Sequence, residues 1–275
     1  MYFKSLLSVV EVKQSHNDLK IAIKLCSQFN AHLSVVIIAV APSPPIDDGN
    51  ADIWLKKRHE DLDALNKRVK EVEILVKDAQ ISATVIREYP ERAKIGHVIG
   101  RRARYADMTV VGPDLLGNKA LKAKTILGGL FESGKPLLII PHGSKLTLWP
   151  KSVLLAWDSG VECTRAAREA LDIMASAEEV HVILVDPDTS SIGSGPEPGA
   201  DIAAYLAHHQ IKVTVDRLPG GGDSVADVIK QHATDISADM IVMGGYGHSR
   251  VREFIFGGVT KSMLDEPGLP ILMAH

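Results

Sequence analysis

The sequence predicts an α/β protein of two tandem domains, each built around a five-stranded parallel sheet with helices on both faces. Three observations support this prediction: a length of 275 residues, an internal repeat with a period near half of that length, and an alternation of short apolar runs with helical patterns. A chain of this length suits two domains of average size.

Two pairs of segments along the chain show the repeat. Residues 106–112, ADMTVVG, recur as residues 238–244, ADMIVMG, and the downstream pair ILGG at 126–129 recurs as IFGG at 255–258. The period is too long for a solenoid, so it indicates a duplicated domain. We therefore expect one domain at residues 1–145 and a second at residues 146–275.

Short β-branched runs mark the strands, and segments with helical periodicity lie between them. In the first repeat we expect strands at 5–10, 32–40, 81–87, 108–111 and 137–140, and a long exposed helix from 53 to about 77. In the second we expect strands at 152–157, 180–185, 212–218, 240–243 and 270–274, and helices at 164–175, 200–209, 224–234 and 250–264. Strands that are apolar on both faces are typical of a parallel sheet covered by helices, so each domain is predicted to be Rossmann-like and doubly wound.

Composition excludes several classes of protein. Hydrophobic residues make up 45% and charged residues 24%, and 31 Lys and Arg face 34 Asp and Glu for a net charge of -3. This balance argues against a nucleic-acid partner and against an anionic membrane surface. The two cysteines, Cys26 and Cys163, cannot build a disulfide scaffold, and the first residues lack signal-peptide features, so we expect a cytoplasmic protein.

The unusual residues of the second repeat follow its first and fourth strands. Trp157-Asp158-Ser159-Gly160 follows strand one, and Gly244-Gly245-Tyr246-Gly247-His248 follows strand four. Ligands of doubly wound sheets bind where the strand order reverses, at the carboxyl ends of the strands. If this repeat winds outward from its first strand, both segments lie at that point.

Glycines dominate the second of these segments. Gly244 and Gly247 are followed after nine residues by Gly257 and Gly258, which open an apolar helical stretch. Glycine lets backbone N–H groups approach a phosphate, and a helix N-terminus favours negative charge. The spacing is neither a Walker P-loop nor a dinucleotide fingerprint. Tight turns without a ligand explain the same glycines equally well.

Gly-x2-Gly-x9-Gly, together with Asp158 after strand one, resembles the ATP-binding signature of the universal stress protein family. The resemblance covers the chain as two tandem copies and implies ATP, with Mg²⁺, as the ligand of the second copy. It implies no catalytic residue and no protein-bound metal site. The residues that it places around the nucleotide are Ala156, Trp157, Asp158, Val185, Met243, Gly244, Gly245, Gly247, His248, Gly257, Gly258, Val259 and Thr260.

Two positions depart from the family pattern. Gly258 stands where the family has Ser or Thr, and the loss of one hydroxyl hydrogen bond to the ligand costs roughly 0.5–1.5 kcal/mol. The hydroxyl of Thr260 is a substitute for the missing one. The turn after strand one is Asp158-Ser159-Gly160 in place of Asp-Gly-Ser.

The first repeat lacks most of the signature. Its fourth strand is followed by Gly112-Pro113-Asp114, where Pro113 removes a backbone donor and Asp114 adds negative charge. We expect a degenerate domain that serves as a scaffold.

Two adjacent histidines of the second repeat, His208 and His209, point in different directions on a predicted helix. They indicate an exposed helix end and not a metal site.

The leading hypothesis is a stress-response protein whose C-terminal domain binds ATP as a nucleotide-dependent regulatory or protective switch. Slow ATP hydrolysis at the same site is one alternative, although the motif holds no evident water-activating base or Walker-type lysine. A chaperone-like scaffold that needs no nucleotide is the other. Family members often dimerise through their last strands, so the resemblance implies an intramolecular pseudo-dimer; a protein partner and a further homodimer remain open.

Overall fold

The chain divides into two compact units, Tyr2–Lys135 and Pro136–His275. A computed structural model describes residues 3–44, 51–144, 147–188, 197–247 and 258–275. Both units have the predicted α/β architecture of parallel strands joined by helices, so the fold class is confirmed.

The first unit contains four parallel strands in the order β3-β2-β1-β4. Its strands are β1 (Ser5–Glu11), β2 (His32–Ile38), β3 (Ala83–Glu88) and β4 (Met108–Val111). Its helices are α1 (Asn17–Phe29), α2 (Ala51–Asp78), α3 (Ile95–Ala103), α4 (Pro113–Gly117) and α5 (Lys119–Ile126), with a π-helical turn at Leu127–Glu132. All strand bounds lie within two residues of the prediction.

The long helix α2 confirms the exposed helix predicted from residue 53. Its buried residues, Leu65, Arg68, Val72 and Val76, are spaced three or four apart and form one stripe along the helix. This is the spacing of an amphipathic helix on a sheet. The remaining charged residues of α2 therefore face solvent, as their sequence pattern indicated.

The second unit contains five parallel strands in the order β8-β7-β6-β9-β10. They are β6 (Ser152–Ala156), β7 (Glu179–Val185), β8 (Val213–Leu218), β9 (Met240–Gly244) and β10 (Ile271–Ala274). The helices are α6 (Val161–Glu169), α7 (Leu171–Ser176), α8 (Ala200–His208), α9 (Val225–Asp235) and α10 (Gly258–Asp265). The helix predicted at 164–175 is divided in two at Ala170, and residues 250–257 of the last predicted helix lie outside the described residues.

Strand β5 (Leu137–Ile139) is the last strand of the first repeat, yet it belongs to the second compact unit. It pairs antiparallel with β10, with Leu138 opposite Leu272. The boundary between the two compact units therefore lies before β5, whereas the sequence repeat predicts a domain boundary after residue 145. The two divisions differ by this one strand.

The core of each unit lies on both faces of its sheet. Leu6 and Leu7 of β1, and Leu154 and Leu155 of β6, are fully buried. Successive strand residues point to opposite faces, so both faces are covered by helices. The carboxyl ends of the strands are left as the edge at which loops and helix N-termini meet.

An aspartate conserved between the two repeats holds the first strand beside the fourth. Asp107 accepts hydrogen bonds from the backbone N–H groups of Lys4 and Ser5 at 2.7 and 2.9 Å. Asp239 accepts the equivalent bond from Lys151 at 2.8 Å. The repeated AD dipeptide is therefore part of the structural frame.

Among the helices that the structure describes, none combines the length and the apolar composition needed to cross a bilayer.

Candidate functional site

The strand order of the second unit reverses between β6 and β9, as the sequence predicted. These two strands are neighbours, and Ala156 at the end of β6 pairs with Met243 on β9. The segments after both strands therefore leave the sheet side by side. This is the position at which doubly wound sheets bind their ligands.

The turn after β6 is closed by Asp158. Its Oδ1 accepts a hydrogen bond from the N–H of Gly160 at 2.8 Å, and Gly160 precedes the first turn of α6. Ser159, between them, has a φ of 64°. Left-handed backbone costs a non-glycine residue about 1–2 kcal/mol, which explains why the family pattern has glycine here.

Gly244, at the end of β9, is packed against the backbone of α6. A Cβ at this position would lie 2.5 Å from the nitrogen of Cys163 and 2.7 Å from the carbonyl carbon of Glu162. No side chain fits in that space without movement of the strand or the helix. The first glycine of the motif therefore has a packing role of its own.

The loop after Gly244 is joined to both neighbouring elements. The N–H of Gly245 donates to the carbonyl oxygen of Ala274 at 2.9 Å, and the N–H of Tyr246 donates to Oγ1 of Thr260 at 3.1 Å. Tyr246 is buried with a φ of 67°, and this burial raises the pKa of its phenol. The loop therefore lies directly against the first turn of α10.

Gly258 begins α10 and is exposed. Among the described residues, no atom lies within 4 Å of the point that a Cβ on Gly258 would occupy. The first N–H groups of a helix have no partner within the helix, and the helix dipole makes this end positive. Among the described residues, no side chain covers this end of α10 at Gly258.

Glu162 brings a carboxylate to the same edge. Its Oε2 lies 2.9 Å from the Cβ position of Gly247 and 3.4 Å from that of Gly160. The side chain thus lies between the turn after β6 and the glycine loop after β9. A phosphate at this edge would meet the negative charge of Glu162 as well as the backbone donors.

The remaining predicted residues lie at different distances from this edge. Trp157 donates its N–H to the carbonyl oxygen of Ile183 at 3.0 Å, and Val185 ends β7 opposite Leu218. Val259 is half-buried in the first turn of α10. His248 and Gly257 lie outside the described residues.

Comparisons with known proteins agree with this architecture. Residues 150–275 match the model of the Universal stress protein family. A universal stress protein from Archaeoglobus fulgidus superimposes on 99% of this chain and 97% of its own, with a TM-score of 0.65 at 20% sequence identity. The fold match therefore covers both repeats. Residues 150–275 are therefore a domain of the universal stress protein family.

Curated relatives match this chain over shorter stretches. Universal stress protein Slr1230 of Synechocystis is 24% identical over 142 residues, which are 50% of this chain and 46% of the relative. Stress response protein NhaX of Bacillus subtilis is 34% identical over 74 residues, which are 27% of this chain and 43% of that protein. The matches thus span less than half of each relative.

The corresponding edge of the first unit is closed by its own carboxylate. Asp18, in the first turn of α1, accepts hydrogen bonds from the N–H groups of Asp114 and Leu115, both at 2.9 Å, and from Nε2 of Gln14 at 2.8 Å. Asp18 is 2% exposed, and its burial raises the pKa of the carboxyl to about 6. The backbone donors after β4 therefore already hold an anion of the protein itself.

Gly128, the first glycine of the pair in the first repeat, is packed against α3. A Cβ on Gly128 would lie 2.3 Å from the carbonyl oxygen of Gly96 and 2.8 Å from the nitrogen of Gly100, both on α3. Gly258, which follows the counterpart of Gly128, has no such neighbour among the described residues. Gly257, the counterpart of Gly128 in the second repeat, lies outside the described residues.

Sequence reasoning missed Glu162 and Asp18, which stand at equivalent positions near the start of α6 and α1. Both are acidic residues in a first helical turn, where they are common for reasons of helix capping alone. The sequence signal that could have found them is the internal alignment of the two repeats. Their contact with the loop after the fourth strand depends on the tertiary fold.

Proposed function

We propose that this stress-response protein binds ATP, with Mg²⁺, at the carboxyl edge of the sheet in its second unit. The observation that carries this proposal is the contrast between the two repeats. In the first unit the edge is filled by the carboxylate of Asp18, whereas in the second unit no described atom lies within 4 Å of the Cβ position of Gly258, in the first turn of α10.

We expect the predicted residues to contact different parts of the nucleotide. Gly247 allows the backbone to approach the phosphates because it carries no side chain, and the first turn of α10, which begins at Gly258, supplies N–H donors. Ala156 and Asp158, at the end of β6, lie where the nucleoside would rest. Gly244 lets α6 pack closely enough to form one wall of the site.

Glu162 supports the requirement for Mg²⁺. A carboxylate next to a triphosphate is repulsive, and a divalent cation between the two would remove that repulsion. Mg²⁺ is held in proteins by one or two carboxylates together with phosphate oxygens and water. We therefore expect Glu162 to make ATP binding dependent on Mg²⁺.

A bound nucleotide would connect α10 to the loop after β9, which already share the hydrogen bond from Tyr246 to Thr260. Ordering of a segment by a phosphate ligand is an established form of switching. The proposed function is accordingly a nucleotide-dependent regulatory or protective switch. ATP need not be hydrolysed for such a switch to operate.

Equilibrium dialysis with MgATP tests the proposal with three proteins: the wild type, Gly258→Asp and the control Gly268→Asp. Asp at position 258 has room and suits a helix N-terminus, so folding should be retained. Two like charges about 4 Å apart repel by about 4 kcal/mol at an effective dielectric near 20, so binding should weaken at least tenfold. Gly268 also has no described neighbour within 4 Å, and Gly268→Asp should bind like the wild type.

Two outcomes would contradict the proposal. Failure of the wild type to bind MgATP would remove the function, and equal binding by Gly258→Asp would remove the site. Analysis of the dialysed nucleotide separates binding from turnover, since accumulation of ADP with the wild type but not with Gly258→Asp would favour the slow ATPase.

A further inference from the structure

Two histidines and an aspartate from three different elements of the second unit converge on one point. His181 lies on β7, Asp216 on β8 and His232 in the last turn of α9. Nδ1 of His181 lies 2.7 Å and Nε2 of His232 lies 3.0 Å from the same oxygen, Oδ2 of Asp216. These three atoms lie within 4.8 Å of one another.

The sheet register explains why the cluster forms. Thr214 pairs with His181, and Asp216 lies two residues further along β8, so all three point to the same face of the sheet. Helix α9 packs on β7 and brings His232 to the other two side chains. His181 is the third residue of β7 and Asp216 is the fourth residue of β8, so the cluster lies on a face of the sheet and not at the carboxyl edge where the nucleotide site is proposed.

We propose that His181, Asp216 and His232 bind a divalent transition-metal ion such as Zn²⁺, with a further coordination position open to water. Two imidazoles and a carboxylate are ligands of this class of metal. The three side chains are only 17%, 21% and 15% exposed, so the site is largely formed by the fold yet reachable by water.

The distances require only small movements. Metal–ligand bonds of about 2.0–2.2 Å in a tetrahedral site place the ligand atoms roughly 3.4 Å apart. The nitrogens now lie somewhat closer than this to Oδ2 of Asp216, as expected when protons occupy the space that the metal would take. Rotation of the side chains is enough to exchange those protons for an ion.

The surroundings of His181 favour a ligating role. Its other nitrogen, Nε2, lies 3.9 Å from Oε2 of Glu179. When Nδ1 binds a metal, the proton resides on Nε2; the present 3.9 Å is longer than a hydrogen bond, and a rotation of the exposed Glu179 side chain would bring its carboxylate to this proton, as in the outer shell of metal-bound histidines. His181 and Glu179 also line a cavity with Lys212 and Thr214, through which an ion can enter from solvent.

The test is a titration of tag-free, chelator-treated full-length protein with CoCl₂, followed by visible absorption and by displacement with ZnCl₂. The wild type should bind one Co²⁺ with the intense bands of a four- or five-coordinate ion. Asp216→Asn and His232→Gln should weaken binding more than about tenfold. His208→Gln removes an exposed histidine of α8 and should leave binding unchanged.

A second measurement uses only the wild type, so it tests the proposal even if the variants fail to fold. In the wild type, ZnCl₂ should shift the imidazole NMR resonances of His181 and His232 and leave those of His208 in place. The proposal is overturned if the wild type takes up neither metal, if Asp216→Asn binds as the wild type does, or if these two imidazoles do not respond to Zn²⁺.

Discussion

The packing of Gly244 against α6 makes a quantitative prediction for Gly244→Ala. The new Cβ would lie 2.5 Å from the nitrogen of Cys163 and 2.7 Å from the carbonyl carbon of Glu162, where ordinary contacts begin near 3.4 Å. Both neighbours are backbone atoms, so β9 or α6 must move by nearly 1 Å. Overpacking of this kind costs about 1–3 kcal/mol.

The matched control is Gly258→Ala. Among the described residues nothing lies near the added methyl group, and replacement of glycine at a compatible position stabilises by about 0.4–1 kcal/mol through the unfolded state. Gly258→Ala also keeps the backbone N–H and should retain most of the MgATP affinity. The two alanine variants therefore separate a glycine that packing requires from one at which a small side chain is tolerated.

Urea denaturation followed by circular dichroism measures both effects. Gly244→Ala should lower the midpoint of the transition of the second unit, while Gly258→Ala should leave it unchanged or raise it. If the stability of Gly244→Ala falls within 0.5 kcal/mol of the wild type, about the effect of an ordinary surface substitution, the close approach of α6 to β9 is refuted.

Two further predictions concern buried titratable groups. The pKa of Asp18 is raised from 3.8 to about 6 in the folded protein. Between these two pH values the folded protein keeps a proton on Asp18 that the unfolded chain loses. The contribution of Asp18 to the free energy of unfolding should therefore fall by about 3 kcal/mol as the pH rises from 4 to above 6. The stability difference between wild type and Asp18→Asn, measured by urea denaturation, should follow this change; a pH-independent difference would contradict it. Burial raises the pKa of Cys26 and Cys163 to about 12, so neither thiol should react with iodoacetamide in the native protein at neutral pH, and rapid alkylation would be the contrary result.

Much of the fold was predictable because strands and helices have local signatures. The apolar runs of β1 and β6, the amphipathic stripe of α2 and the N-cap Ser224 of α9 are all encoded in neighbouring residues. The internal repeat then supplied the tandem organisation, and the strand order reverses where the winding rule placed it.

The features that sequence reasoning could not supply depend on contacts between distant residues. His181 meets Asp216 across 35 positions and Asp216 meets His232 across 16, so no metal-ligand spacing exists along the chain. Asp18 reaches Asp114 across 96 positions. In each case the sheet register and the helix packing, not the local pattern, bring the side chains together.

The most direct measurement is a crystal structure of the full chain grown with excess MgATP. We expect density for the triphosphate beside the backbone N–H groups of Gly247 and Gly258, with Glu162 turned toward the cation. A nucleotide-free edge in which the Glu162 carboxylate fills that space, or a nucleotide bound beside Asp18 in the first unit, would contradict it.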